Sequence, residues 1–218
     1  MKSQDIVMLF KLISLDQQAR GDRVKKREFA AIFEPEEYSV FRTQVLEMLR
    51  TEGWEAWSDP HEGNIESYSV RALSASLALS KSEVSNSLNR CREIDLLYTD
   101  RLSGQPTVRR EALLDFVRYG IRYVFPARPG PIVRGIPTAF AAPVLAGKVI
   151  SGGELIPVWP DAYGKSKGQE IAPLFKTVPG AVKKDELLYH FLALVDAIRI
   201  GGPRETKVAD AMLREWIL

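Results

Sequence analysis

Cysteine and histidine are scarce in this chain of 218 residues, which has one cysteine and two histidines. The single cysteine, Cys91, excludes an internal disulfide and a zinc site built from several thiolates. His61 and His190 lie far apart in the sequence, and neither belongs to a pair with metal-ligand spacing. The sequence therefore predicts no metal site, and the scarcity of cysteine favours a cytoplasmic protein.

Long apolar runs are also absent. No run reaches the roughly 18–20 residues that a membrane-spanning helix needs, and the first residues lack the basic, apolar and cleavage regions of a signal peptide. The hydrophobic content of 45% is nevertheless ordinary for a protein with a packed core. We therefore expect a globular protein without a membrane partner.

The glycine-rich motifs that bind nucleotide phosphates are missing as well. The glycine pairs at 152–153 and 201–202 lack the GxxxxGK[ST] and GxGxxG contexts in which backbone amides hold a phosphate. Cys91 has no evident histidine partner for nucleophilic catalysis. We therefore expect no catalytic residues and no cofactor, and the chain is not predicted to be an enzyme.

Charges of both signs are present, but they are unevenly distributed. The whole chain carries +2, whereas residues 1–66 carry −4, residues 67–134 carry +5 and residues 135–218 carry +1. A local basic excess attracts the phosphates of nucleic acids. The middle of the chain is therefore the candidate region for nucleic-acid binding.

This basic region contains a pattern that predicts two short helices joined by a tight turn at Leu79-Ser80. The first helix follows the N-cap Ser69. The second begins at a capping box formed by Ser80 and Glu83, in which each residue's side chain accepts from the other's amide. Apolar side chains at helical spacing line one side of each helix, namely Val70, Leu73 and Leu77, then Val84, Leu88 and Cys91.

The opposite side of the second helix is polar and nearly free of acids. Serine and asparagine have poor helix propensity and are unusual fillers of a solvated helix face. Asparagine can make two hydrogen bonds to adenine in the major groove, and lysine or arginine suits phosphate or guanine. We therefore favour base readout over the alternative of a solvated face. The predicted contact residues of this helix are Lys81, Ser82, Ser85, Asn86, Asn89 and Arg90.

A small β-hairpin is predicted after the second helix. One strand runs from Leu96 to Thr99, and the other from Thr107 to Arg109, with a turn at Ser103-Gly104. Pro106 favours an edge strand, since proline has no amide to donate. The sequence predicts that Arg101 and Arg109 flank this hairpin and reach the DNA backbone.

Together these residues resemble a known DNA-binding motif. The pattern Ser-Val-Arg-x-Leu…Leu-x-Leu-Ser-x-Ser-x-Val-Ser…Leu, over residues 69–88, is similar to the winged helix-turn-helix of bacterial transcriptional regulators, broadly the MarR-like group. Ala78 stands where such motifs often carry glycine. The resemblance implies a regulator, of repressor type, that binds double-stranded DNA. A homodimer is expected because one recognition helix covers only one half-site.

A weaker resemblance is to the winged-helix antitoxins of abortive-infection toxin–antitoxin pairs. It is carried by the predicted winged helix followed by a separate C-terminal region. It implies an alternative function, in which the chain binds a toxin-like partner enzyme and regulates its own operon. The aromatic residues Tyr119, Tyr123 and Phe125 lie near arginines and would also allow RNA binding, but we predict that they belong to the core.

The rest of the first half completes a predicted DNA-binding domain at 1–120. It begins with an amphipathic helix at 4–15 that Ser3 would cap. Residues 20–66 are predicted to be an inserted helical segment, which would be either an additional packing layer or a dimer arm. After the hairpin, a helix from Arg110 to Tyr119 is expected to end at Gly120, and a short strand from Arg122 to Phe125 to follow.

Proline distinguishes the second predicted domain, 121–218. Nine of the thirteen prolines fall between Pro126 and Pro179, and proline prevents continuous helix. Apolar residues recur there, so we predict an ordered, irregular segment with short strands. Two helices follow, at 185–200 and 205–218, separated by Gly201-Gly202-Pro203. The predicted fold is therefore mainly α with a small β component: a winged helix-turn-helix domain, an irregular Pro-rich segment and a C-terminal helical pair.

Overall fold

A computed structural model describes residues 1–20, 65–149 and 155–218 of the chain, so most of the predicted insertion at 20–66 lies outside the described residues. The helices are α1 (Ser3–Ala19), α2 (Val70–Leu77), α3 (Lys81–Glu93), α4 (Arg110–Tyr119), α5 (Ile121–Val124), α6 (Val178–Val182), α7 (Glu186–Ile200) and α8 (Pro203–Ile217). The strands are β1 (Leu97–Thr99), β2 (Pro106–Val108), β3 (Pro129–Pro137), β4 (Pro157–Pro160) and β5 (Ser166–Ile171). Single 3-10 turns occupy Ile65–Tyr68, Ala139–Ala141 and Pro143–Leu145. The prediction of a mainly α protein with a small β component is confirmed.

Helix α1 is longer and more central than predicted. It begins at Ser3, but its N-cap is Lys2, whose amide donates to Asp5 Oδ2 at 2.6 Å. Twelve of its seventeen residues are buried, which is far more than one apolar stripe. The reason is that α1 packs between α3 on one side and α7 on the other. Burial on several sides at once does not follow from a helical period in the sequence.

The predicted helix pair and hairpin are present with the expected local signals. Ser69 Oγ accepts from the Ala72 amide at 3.2 Å and caps α2. The capping box of α3 is closed by Ser80 Oγ, which accepts from the Glu83 amide at 3.2 Å, and by Glu83 Oε2, which accepts from the Ser80 amide at 3.0 Å. Strands β1 and β2 pair antiparallel, each about one residue from its predicted bounds.

The predicted strand from Arg122 to Phe125 is wrong, because this segment contains the short helix α5. Gly120 ends α4 with helical torsion angles, φ −113° and ψ −35°, so the chain turns there without becoming extended. Ile121 is fully buried, and its carbonyl accepts from the Phe125 amide at 2.9 Å. Arg122 ties this turn to the end of α7, since its Nη2 donates to the Ile198 carbonyl at 2.7 Å and also to the Gly201 carbonyl.

The prediction that the aromatic residues near this turn are core residues is correct for Phe125 only. Phe125 is partly buried and packs against the core. In contrast, Tyr119 is 65% exposed and Tyr123 is 81% exposed. Helix α4 was predicted with the correct bounds, but α5 changes the direction of the chain, and both tyrosines are left on the outside.

The Pro-rich segment forms the short strands that its composition predicted. Strands β3, β4 and β5 form a closed three-stranded barrel, in which β3 pairs antiparallel with both others and β4 pairs parallel with β5. Prolines stand at both ends of β3 and β4, where a missing amide is tolerated. Gly135 permits the close approach of β3 to β4, since a Cβ there would lie 2.0 Å from the Trp159 carbonyl oxygen.

The described residues on the two sides of position 120 share one hydrophobic core. It joins α1, α2, α3 and α4 to α7 and α8, and the rings of Phe10 and Phe191 lie 5.7 Å apart at its centre. The two C-terminal helices are present as predicted, and α7 is buried almost throughout. None of the described helices combines the length and the apolar character that a membrane crossing requires.

Candidate nucleic-acid interface

The outward side of α3 presents the polar residues that the sequence singled out. Lys81, Ser82, Asn86 and Asn89 are exposed, and Ser85 is half-buried. Their arrangement follows from the helical period, because Val84, Leu88 and Cys91 occupy the opposite side and are buried. Asn89 Oδ1 accepts from Arg92 Nη1 at 3.2 Å, a contact between exposed side chains. Helix α3 therefore has one apolar side against the core and one polar side towards solvent.

Arg90 differs from the other predicted contact residues, because its guanidinium is bound inside the protein. Its Nε donates to Asp5 Oδ2 at 3.0 Å and its Nη2 donates to Asp5 Oδ1 at 2.5 Å. Ser87 Oγ also donates to Asp5 Oδ1, at 2.7 Å. The Asp5 carboxylate is fully buried, so a two-bond ion pair fixes α3 against α1. Arg90 is therefore a positioning residue, which sets the side of α3 that faces solvent.

The charge state of this pair is well defined. Burial alone would raise the pKa of Asp5, but hydrogen bonds from Arg90, the Lys2 amide and Ser87 outweigh burial and lower that pKa. The hydrogen bonds from Arg90 to Asp5 raise the pKa of Arg90 in turn. Both groups are therefore ionised at neutral pH.

The beginning of α3 contains an acid, Glu83, whose carboxylate accepts the hydrogen bonds of the helix cap. Hydrogen bonds from the amide and hydroxyl of Ser80 lower the pKa of Glu83. The positive charges of Lys176 and Lys2 lower it further. Neither lysine was predicted as a site residue, because each is brought to α3 by tertiary packing. Glu83 serves the helix cap, and two lysines from other parts of the chain act on its charge.

The hairpin places a second group of polar and basic side chains near α3. Arg101, Leu102 and Ser103 form its exposed tip, and Gly104 takes a positive φ of 68° in the turn. The Asp100 carboxylate accepts from the hydroxyl and amide of Ser103, and these bonds lower its pKa. The acid of the tip is therefore occupied by the turn, and Arg101 makes no ion pair within the described ranges.

Arg109 lies at the base of the hairpin in an exposed ion pair. Its guanidinium is 3.0 Å from Asp95 Oδ1 and stacks over the ring of Tyr98, with 5.4 Å between its Cζ and the ring centroid. Both ionic side chains are mostly open to water, so the pair contributes little to stability. A phosphate can therefore replace Asp95 as the partner of Arg109 at a low cost in free energy.

Neither a reactive cysteine nor a metal site is supported at this surface. Cys91 is buried on the inner side of α3, and burial raises the pKa of its thiol to about 12, so it is a poor nucleophile. Within residues 1–20, 65–149 and 155–218, no group of three or more histidine, cysteine, aspartate or glutamate side chains is placed to hold a metal ion. His61 lies outside these ranges.

Comparisons with known proteins give no homologue to which this surface can be referred. No protein-family model, no curated protein sequence and no solved structure matches the chain. The resemblance of residues 69–88 to winged helix-turn-helix regulators is therefore a resemblance of pattern. The features that indicate a function are the geometry and charge of α3, of the hairpin and of the residues packed against them.

Proposed function

We propose that the protein binds double-stranded DNA through α3, as a transcriptional regulator of the winged helix-turn-helix type. The observation that supports this most is the polar side of α3. It is exposed, it is rich in serine and asparagine, and the acid at its start is occupied by a capping box. The core holds the opposite side of α3, and the Asp5–Arg90 pair fixes the rotation of the helix about its axis.

In this proposal α3 enters the major groove with its first turns foremost. Asn86 and Asn89 make paired hydrogen bonds to adenine edges, and Ser82 and Ser85 donate to or accept from neighbouring bases. Lys81, Arg101 and Arg109 bind phosphates, with the hairpin as the wing. Arg90 is left out of the contact set because its donors serve Asp5.

The proposal includes a homodimer. A single α3 reads only a few base pairs, and two-fold symmetry places a second copy on the next half-site, about 34 Å along the duplex. Repression then follows if the paired half-sites overlap a promoter. The dimeric state is measured by sedimentation of the free protein and of the protein on an isolated site.

The test begins with selection and sequencing of bound fragments from genomic DNA, which supplies a preferred site. Affinities for that site are then measured for Asn86→Ala and Asn89→Ala. Each substitution should weaken specific binding by about 1–3 kcal/mol, since it removes a paired base contact. Nonspecific affinity should remain as in the parent protein. Gln169→Ala in β5 is the matched control, because it removes a side-chain amide from another part of the surface.

Equal affinity of the parent protein and both asparagine variants for the selected site would refute base readout by α3. Absence of any preferred site among the fragments would refute the regulator function as well. A salt-insensitive affinity would also contradict the proposal, because phosphate contacts release counterions.

A second function, an antitoxin-like module that binds a toxin-like enzyme, is favoured by one observation. Tyr119, Tyr123 and Val124 form an exposed apolar group on α4 and α5, and exposed aromatic groups of this kind are typical of protein-binding surfaces. Co-expression with the product of a neighbouring gene tests this function. A complex that is lost in Tyr123→Ala would support it, and separate elution of the two proteins would contradict it.

A further inference from the structure

Two lysines outside the helix pair and hairpin are fixed next to α3. The first is Lys2, just before α1. Its amide donates to Asp5 Oδ2 at 2.6 Å, and the same carboxylate binds Ser87 and Arg90 of α3. The backbone of Lys2 is therefore held beside the middle of α3, while its side chain is exposed.

The second is Lys176, which comes from the far end of the Pro-rich segment. It lies one residue before the N-cap of α6, and α6 packs against α2. Leu174 and Val178 are buried on either side of it, and the Phe175 carbonyl accepts from the Val178 amide at 3.0 Å. This backbone is anchored in the core, so Lys176 presents an exposed ammonium group from a fixed position.

The backbone of Lys2 is held beside α3 through Asp5, and α6, which follows Lys176, packs on α2, the helix before α3. In agreement with these contacts, the charges of both lysines lower the pKa of Glu83 at the beginning of α3. Lys81 lies on α3 itself, two residues before Glu83. This part of the surface therefore combines three exposed lysines with the carboxylate of Glu83, which accepts from the amide and hydroxyl of Ser80. None of the three lysines makes a side-chain ion pair with another residue that the structure describes. This surface therefore has an uncompensated positive charge.

We propose that Lys2 and Lys176 bind the DNA phosphates that border the groove entered by α3. The DNA interface would then include residues from both halves of the chain, and the second half would contribute to binding directly. This inference rests on the proposed function, since it assumes that α3 lies in the groove. Lysine suits this role because a flexible ammonium group neutralises a phosphate without a strict geometry.

The test is the salt dependence of duplex binding for Lys2→Ala and Lys176→Ala, between about 50 and about 200 mM salt. Each substitution should lower the slope of log affinity against log salt by about 0.9, and the double variant by about 1.8. The loss should be equal on specific and nonspecific duplexes, since phosphates carry no sequence. Affinity at about 0.1 M salt should fall roughly five- to tenfold for each lysine.

The control variants distinguish a lysine–phosphate contact from an effect of the protein's net charge on DNA affinity. Lys167→Ala removes an exposed lysine from β5 and should leave the slope unchanged. Lys176→Arg keeps the charge and should keep the parent slope. Lys2→Ala retains the amide that binds Asp5, so the fold and the thermal midpoint should stay as in the parent.

The outcomes distinguish this inference from the proposed function. If the parent binds duplex DNA and the slopes of both lysine variants equal the parent slope, the two lysines are not contacts, although α3 is still the reading helix. If Lys167→Ala lowers the slope as much as Lys176→Ala does, the effect is one of net charge and the inference is overturned. If the parent binds no duplex at all, both the inference and the proposed function are overturned.

Discussion

Helices α3 and α7 are similar in length, but they differ in which surfaces they bury. Four of the thirteen residues of α3 are buried, against twelve of the fifteen residues of α7. Apart from Ser87 and Arg90, the polar side chains of α3 face solvent. Asp196 and Arg199 of α7 are instead buried and bind each other. An interior helix must satisfy its polar groups within the protein. A helix with one polar side towards water can use that side for a partner.

The two helices are nevertheless fixed by the same kind of contact, and α1 takes part in both. Asp5 of α1 binds Arg90 of α3. Asp185, the N-cap of α7, accepts from Lys11 Nζ at 2.7 Å and from Ser14 Oγ at 2.8 Å, both on α1. Helix α1 is thus linked to α3 through the buried carboxylate of Asp5, and to α7 through the buried carboxylate of Asp185. The polar surface of α3 is therefore oriented from inside the protein, by the Asp5 carboxylate of α1.

The largest effect is expected from Asp185→Ala. The side chains of Asp185 and Lys11 are 1% and 9% exposed, so the substitution leaves a buried ammonium without its carboxylate. It also removes the cap that accepts from the Leu188 amide at 3.0 Å. The free energy of unfolding should fall by about 3–5 kcal/mol, measured by urea denaturation.

The control for this prediction is Asp115→Ala. Asp115 also binds a basic residue, Arg214, but its side chain is 60% exposed. Water replaces such a partner, so a loss of at most about 1 kcal/mol is expected. Equal losses in the two variants would show that Asp185 is not a buried anchor between α1 and α7.

A somewhat smaller effect is expected from Arg90→Ala. It leaves the Asp5 carboxylate buried with only Ser87 and the Lys2 amide as donors. The Arg90 side chain is 24% exposed, so water compensates in part, and we expect a loss of about 2–4 kcal/mol. Urea denaturation measures it, with Arg92→Ala, an exposed arginine of the same helix, as the control at about 0.5 kcal/mol or less. A loss no larger than that of the control would remove Arg90 as the residue that positions α3.

The same pair predicts a dependence on pH. The folded-state pKa of Asp5 lies below the unfolded value of about 3.9. The stabilisation is therefore complete above about pH 4 and is lost as the pH falls through the folded-state pKa. A protonated Asp5 no longer binds Arg90 as an ion pair, so the stability difference between the parent and Arg90→Ala should narrow as the pH falls from about 7 towards the folded-state pKa of Asp5. A difference that is constant over this range would contradict the account, and Arg92→Ala should show no such narrowing.

The sequence predicted the structural features that are determined by contacts between residues close together in the chain. The cap at Ser69 and the capping box at Ser80 and Glu83 involve residues three apart, so the sequence contains the whole signal. The bounds of α4 were predicted for the same reason. The exposed residues of α3 also followed, since the buried stripe of Val84, Leu88 and Cys91 determines the opposite side.

The sequence did not predict the features that depend on contacts between residues far apart in the chain. Asp5 and Arg90 are 85 positions apart, and nothing in either segment indicates that the guanidinium turns inwards. Lys176 is brought to this side of the molecule because α6 packs on α2, which no local pattern predicts. The sequence predicts a strand where α5 lies, because its four residues are too few to show a helical period. The closure of β3, β4 and β5 into a barrel depends on pairings that the sequence does not specify.

The residues that end α2 and α7 differ in backbone conformation, and this difference predicts the smallest change in stability. Ala78 ends α2 in the left-handed region, at φ 50° and ψ 42°, where the resembled motifs often carry glycine. Gly201 ends α7 at φ −72°, which any residue can adopt. Gly201 is required for a different reason, since a Cβ there would lie 2.4 Å from the Ala197 carbonyl oxygen. The residue with the unfavourable backbone conformation is thus the alanine.

Ala78→Gly should therefore stabilise the protein. Removing the Cβ relieves the left-handed strain of about 1–2 kcal/mol, and the added freedom of glycine in the unfolded chain offsets part of this gain. A net increase of about 0.5–1 kcal/mol is expected in urea denaturation. The control is Ala75→Gly, an exposed position inside α2, which should destabilise by about 0.5–1 kcal/mol. The same substitution, three residues apart, should thus change the stability in opposite directions. If both variants lose stability, the end of α2 is not strained, and the conformation of Ala78 does not explain the glycine of the resembled motifs.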